Sequence, residues 1–249
     1  MESGEELDNI DDNWIQPSRT HLQYAKHEWR EAALRAVYAA ENLQRAGVHK
    51  SIVNRILEPF LHVNVLVTGT TPGWMNFFGL RLDKTAQPEM RVLAEEMWKI
   101  WNESQPKKLE PGQWHLPFID EAIHYDIAEA HNLIQDDQIV QTMIKISVAR
   151  CARLSYLSFE TRKRSTIEED LKLYDRLVGS SPIHASPAEH QATPDTWFEY
   201  ERSSLGEYYR NKLSHWEWPM QSGNLGRGWR QYRKMLPNES IAQLPQEYK

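Results

Sequence analysis

The sequence predicts a helix-rich α+β fold: a single domain over residues 21–249 arranged around a sheet, behind a flexible acidic lead-in of residues 1–20. Three observations carry that expectation. Hydrophobic residues make up 40% and charged residues 26% of the 249, the balance of a globular chain long enough to bury a core. Long stretches between residues 24 and 156 repeat apolar residues at helical spacing. One run, HVNVLVTGT at 62–70, is β-branched and apolar and reads as a buried strand or an extended core segment.

Taken in order, residues 24–46 form an alanine-rich helix. Trp29, Ala33, Ala36, Val37, Ala40 and Leu43 trace one face, and Gly47 supplies the stop. HKSIVNRILEPF is a shorter helix ended by Pro59. After the 62–70 run comes GWMNFFGLRL, aromatic and apolar with Asn76 and Arg81 inside it. A helix opens at Pro88, where Met90, Leu93, Ala94, Met97 and Trp101 share a face away from Glu95, Glu96 and Lys99. SQPKKLEPGQWHLPF is a proline-punctuated loop. Helical spacing resumes over residues 136–156 through Ile139, Met143 and Ile146, and STIE at 165–168 is a capping box opening a helix to about Leu177. Beyond residue 194 the chain turns aromatic and polar with only weak strand signals.

Charge and cysteine content exclude several function classes. With 29 basic and 35 acidic residues the net charge is −6, which gives no general attraction to nucleic acid or to an anionic membrane, although a local arginine pocket is compatible with it. The single Cys151 rules out an internal disulfide framework and a Cys-based zinc site and suits a reducing compartment. The N-terminus is acidic where a secretory leader needs a basic segment and an apolar run, and no stretch approaches the ~20 apolar residues of a membrane span. A cytoplasmic protein is expected. Ten tryptophans are many for this length; they suit clefts and subunit interfaces as well as cores.

G-x-x-x-x-G-K-[ST], G-x-G-x-x-G and H-E-x-x-H are all absent. SGNLGRGW at 222–229 lacks the strand-then-helix setting of a phosphate loop and reads as a flexible turn region. In HASPAEHQATP, residues 184–194, Ser186 reads as a helix N-cap, Pro187 as the first helical residue and Glu189 as the capping-box partner. His184 and His190 stay unexplained by that reading. As a metal set with Glu189 they are poorly spaced, since adjacent Glu189 and His190 point to different sides of a helix. Cys151 between Arg150 and Arg153 has two readings, an activated thiol or a small buried hydrophobe, and its apolar neighbours favour the second. Arg55, Arg81, Arg150 and Arg153 sit in apolar sequence. A buried arginine needs an anionic partner, which is either a phosphate or an internal carboxylate such as Glu58, Glu89 or Glu189.

The segments VNRILEPF, WMNFFGLRLDKTAQPEMRVLA, SVARCARLSY and HASPAEHQATP together resemble the flavin-dependent thymidylate synthases. The resemblance implies that His184, Ser186 and Glu189 contact flavin, with Ser155 of the LSY segment nearby. Asn76 matches an asparagine that approaches the flavin ring, and Thr71 replaces an earlier asparagine. Arg55 and Arg81 match arginines that bind the phosphate and base of dUMP. A helix N-terminus at Ser186 would offer free N–H groups to cofactor phosphates. Two departures stand out. The blocks occur in a rearranged order associated with phage-type homologues, and the family's R-H-R-x-x-S signature is absent, TRKRS at 161–165 lacking the histidine. Thr85 also stands where the family usually has histidine.

The resemblance implies reductive methylation of dUMP to dTMP, with FAD as cofactor and NADPH and methylenetetrahydrofolate as co-substrates. No protein cysteine nucleophile, metal, nucleic acid or membrane is implied, and the catalytic residues stay unassigned. A homotetramer is implied, in the host cytoplasm if the gene is a phage's. The missing signature is expected upstream of residue 1 or on a second polypeptide, which would make this chain a C-terminal portion of the enzyme. The alternatives are a hydroxymethylase acting on dUMP or dCMP, and a non-catalytic nucleotide-binding or assembly subunit of the same fold.

Overall fold

A computed structural model describes residues 20–120, 126–127, 136–154, 165–203 and 210–240. The expectations for the acidic lead-in over residues 1–19, for Ser155 and for residues 161–164 of TRKRS lie outside them. The helix-rich α+β class is what the structure shows, and the strands among the described residues form two two-stranded antiparallel sheets. The chain divides into two compact units, Met1–Val63 with Phe77–Glu103, and Asn64–Asn76 with Ser104–Lys249.

The first unit is helical. Helix α1 (His21–Arg45) starts with a capping box in which the Thr20 hydroxyl accepts from the Gln23 N–H and the Gln23 side chain accepts from the Thr20 N–H. It ends as expected at Gly47, whose φ of +81° is open to glycine. The Gly47 and Val48 amides then reach back to Gln44 and Leu43. Helix α2 (Lys50–Leu57) is capped by His49 and runs into a 3-10 turn, Glu58–Phe60, carrying Pro59. Helix α3 (Thr71–Arg81) belongs to this unit from Phe77 onward, and α4 (Pro88–Glu103) follows. The Phe78 ring, 3% exposed, meets Trp98 and Trp101 edge-on at 4.9 and 5.7 Å, and Ala94 is fully buried.

Two expectations fail here. On α1 the proposed core face buries only Ala36 and Ala40, whereas Trp29 is 57% exposed and Val37 is also exposed. The 62–70 run is neither a strand nor buried: Val63, Val65 and Val67 all face solvent. A β-branched run becomes a strand only when a neighbour completes its ladder, and among the described residues none does.

In the second unit, helices α5 (Asp136–Arg153) and α6 (Ile167–Val178) pack together around Ile144, Val148, Ala149 and Tyr174. The capping box of α6 lies one residue later than expected, with Thr166 and Glu169 exchanging the two bonds. Ser165 instead donates to buried Asp170 at 2.6 Å, so its hydroxyl is unavailable as a cap. Strand β1 (Ala192–Pro194) pairs with β4 (Trp229–Gln231), and β2 (Trp197–Ser203) forms a hairpin with β3 (Arg210–Trp216).

Candidate functional site

The 184–190 stretch is a 3-10 turn, Ser186–Glu189, seated on α5 and on a second 3-10 turn, Tyr232–Met235. Its anchor is Ala188, fully buried beside Tyr232 and Leu236. The N-cap reading of Ser186 is corrected. Ser186 is the first residue of the turn, Ala185 precedes it in helical conformation, and no side chain caps the turn. The local reason is Glu189, which does not reach back over the turn but pairs with the Arg233 guanidinium. A four-residue turn also has too few aligned peptides for a helix-dipole phosphate site, so that expectation falls too.

Arg233 is held from two sides, since its Nε also donates to Glu239 at 3.1 Å. The Gln231 side chain, 2% exposed, donates to the Glu189 carbonyl at 2.9 Å and to Asn224. The other end of the turn is fixed by His190, whose Nδ1 shares a 3.1 Å hydrogen bond with the Thr68 hydroxyl. Burial lowers the pKa of His190; Glu189 opposes that shift and nearby His115 adds to it. His115 is lowered by burial as well, on a backbone bridge to Ala192. Burial thus favours the neutral form of both imidazoles, and His190 serves as a hydrogen-bonding group to Thr68.

The proposed flavin contacts Thr71, Asn76, His184, Ser186 and Glu189 all fall in the second compact unit, and the Thr68–His190 bond ties the Asn64–Asn76 segment to the turn. Thr71, Asn76, His184 and Ser186 are exposed, and their side chains make no hydrogen bond among the described residues. That donor set fits a polar, phosphate-bearing cofactor. Glu189 does not, because its carboxylate is already neutralised by Arg233.

The arginines divide into two pairs. Arg150 and Arg153 donate through Nε to the fully buried Asp170, at 2.9 and 3.2 Å, and reach the Phe118 and Glu169 carbonyls. They are structural, and their carboxylate is none of the three that the sequence suggested. Arg55 and Arg81 are exposed, not buried, and carry no ion pair among the described residues. Both lie in the first compact unit. Thr85, where the family usually has histidine, donates from its backbone N–H and its hydroxyl to Asp83, its one side-chain partner among the described residues.

Cys151 is the buried hydrophobe of its two readings. Burial pushes its pKa up to about 11, and its Sγ accepts from Gln191 at 3.4 Å. Sequence reasoning missed Thr68, His115, Gln231 and Arg233. The available signal was the alternation of arginine and aromatic residues in GRGWRQYRK at 226–234, overlooked because its glycines suggested a turn. Those glycines do turn the chain, with φ of +80° at Gly226 and +92° at Gly228, but the turn is packed and feeds β4.

The exposed arginines, the polar residues of α3 and the helical frame around them coincide with a family match. The model for thymidylate synthase complementing protein matches residues 5–107. The match covers less than half of the chain and is a likeness over that stretch. It contains Arg55, Thr71, Asn76 and Arg81; the 148–156 and 184–194 blocks lie beyond it. Neither a curated protein nor a solved structure matches the chain. No helix among the described residues is long and apolar enough to cross a membrane.

Proposed function

We propose that this chain serves flavin-dependent thymidylate synthesis, the reductive methylation of dUMP to dTMP. The observation that carries the reading is the family match over residues 5–107, which contains two exposed arginines that make no ion pair among the described residues. An arginine with no internal carboxylate is free to take a phosphate as a fork of donors. Arg55 and Arg81 bind the dUMP anion in this reading. Thr71, Asn76, His184 and Ser186 hold FAD, with Ser155 expected beside them. Bound FAD supplies the redox chemistry of one-carbon transfer from methylenetetrahydrofolate, with NADPH as reductant. The protein's part is orientation: hydroxyl, amide and imidazole groups fix the ring and phosphates, and the His190–Thr68 bond holds the turn that presents them. Cys151, protonated and buried, takes no part.

The active assembly is a homotetramer, and a second polypeptide carrying R-H-R-x-x-S would complete the site if the chain alone does not turn over. The test supplies the purified protein with FAD, NADPH, methylenetetrahydrofolate and dUMP, and separates products chromatographically. Formation of dTMP is expected. A hydroxymethylated pyrimidine would replace this reading with the hydroxymethylase. Nucleotide binding without any product, even when a signature-bearing polypeptide is added, would replace it with the non-catalytic subunit.

A further inference from the structure

Aromatic surface and unneutralised cations meet at the base of the β2–β3 hairpin. Trp197 and Trp216 face each other in register with ring centroids 4.7 Å apart. Gly228 closes against Trp216 so tightly that a Cβ there would lie 3.2 Å from the indole. Trp218 begins the next turn, its backbone N–H donating to both oxygens of Asp195 at 3.2 and 3.1 Å. Arg230 of β4 lays its guanidinium 4.8 Å over the Trp218 ring, with Nε held by Gln221 at 2.9 Å. Despite this packing Trp197, Phe198 and Trp218 stay 44%, 43% and 41% exposed.

The cations nearby are of two kinds. Arg233 and Lys234 are neutralised by Glu189 and Glu239. Arg227, next in sequence to the Gly228 that closes on Trp216, and Arg230 meet no carboxylate among the described residues, in a chain whose net charge is −6; Glu199 is engaged by the Trp197 indole N–H at 3.0 Å. A guanidinium stacked on an indole keeps its outer N–H donors for an anion. An apolar partner would leave both arginines unanswered, and a free inorganic anion would leave the indoles in water. A planar ring that carries phosphate answers both. We infer that the base of this hairpin is a nucleotide-binding site, in which Trp218 and Trp197 offer ring stacking and Arg227 and Arg230 take the phosphate. The inference rests on the nucleotide chemistry proposed above and adds a site apart from Arg55 and Arg81. FAD and NADPH share the adenosine phosphate chemistry that would fill it.

The probe is 5′-AMP, followed by tryptophan fluorescence and calorimetry, with adenosine and inorganic phosphate alongside. Saturable AMP binding is expected. Arg227→Ala and Arg230→Gln should each raise the AMP dissociation constant about tenfold while leaving adenosine binding nearly unchanged. Trp218→Leu should weaken AMP and adenosine alike, and Trp218→Tyr, which keeps a stacking ring, should restore both. Each variant is compared at a wild-type melting temperature. Displacement of AMP by FAD would assign the site to the cofactor, and displacement by NADPH alone would assign it to the reductant. Absence of saturable AMP binding, or variants that bind like wild type, overturns the inference. Arg55→Ala separates this result from the thymidylate reading, because it should weaken dUMP binding and leave AMP binding intact. If AMP binds here while dUMP never binds, that reading fails and this site stands.

Discussion

At the level of single residues, the structure sorts charged and polar groups that look alike in sequence. Arg81 and Arg150 both stand among apolar neighbours, yet one is exposed with no ion pair among the described residues and the other is locked to a buried carboxylate. Arg81→Ala should therefore leave the melting temperature unchanged and weaken dUMP binding about tenfold or more, by calorimetry. Asp170→Ala is the opposite case. It strands Arg150, Arg153 and the Ser165 hydroxyl at once, and should lower unfolding free energy by about 3 kcal/mol in urea titrations. Cys151 makes a pH prediction. Its thiol keeps its proton to about pH 11 when folded, whereas the unfolded thiol loses it near its ordinary value. A pKa raised by folding stabilises fully below the unfolded value, and that stabilisation fades as pH rises through the folded one. Under reducing conditions the wild type should lose about 2 kcal/mol between pH 8.5 and 11 that Cys151→Ala does not lose.

Between elements, one hydrogen bond joins α6 to the 3-10 turn after β4: the hydroxyls of Tyr174 and Tyr232 lie 2.6 Å apart in the core. Either phenylalanine substitution strands the remaining hydroxyl, so each should cost about 1–2 kcal/mol. The double substitution should cost clearly less than the sum, a coupling that equilibrium unfolding of the four proteins would measure. This pair also marks where sequence reading stopped. Helices α1, α2, α4 and α5 were legible because their apolar spacing and their proline and glycine punctuation are local. The Ser165 and Ser186 caps were misassigned because the competing partners, Asp170 for one and Arg233 acting on Glu189 for the other, are chosen by packing. The strand reading of 62–70 failed for a related reason, since β-branched composition describes a preference and not the presence of a neighbour. That Thr71, Asn76, His184 and Ser186 make no side-chain hydrogen bond among the described residues was not legible in the sequence, and neither was Arg233, which decides what Glu189 can do.

For the whole molecule, the apolar surface of the helical unit is the feature to explain. Leu34 and Tyr38, 63% and 67% exposed, are spaced one turn apart on α1, and Ile52 of α2 is exposed as well. Apolar side chains left together in water mark association surfaces. The proposed tetramer predicts a sedimentation mass of four times 29.3 kDa. Leu34→Lys with Tyr38→Lys should shift that mass toward the single chain without loss of helix by circular dichroism; an unchanged mass would remove α1 from the interface.

The path of the chain has one more consequence. It leaves the first unit at residue 64, returns at 77 and leaves again at 104, so neither unit is a contiguous stretch of sequence. Thr68 lies within the family match, whereas its partner His190 lies far beyond it. The boundary drawn by kinship is thus not a boundary in the folding of the molecule. A fragment ending at residue 107 would keep every matched residue and lose the partner that fixes the segment leading into α3. Gene dissection at that point would divide a structural unit, and recombination that exchanged the first 107 residues for a relative's would have to carry compatible residues at the 190 turn as well.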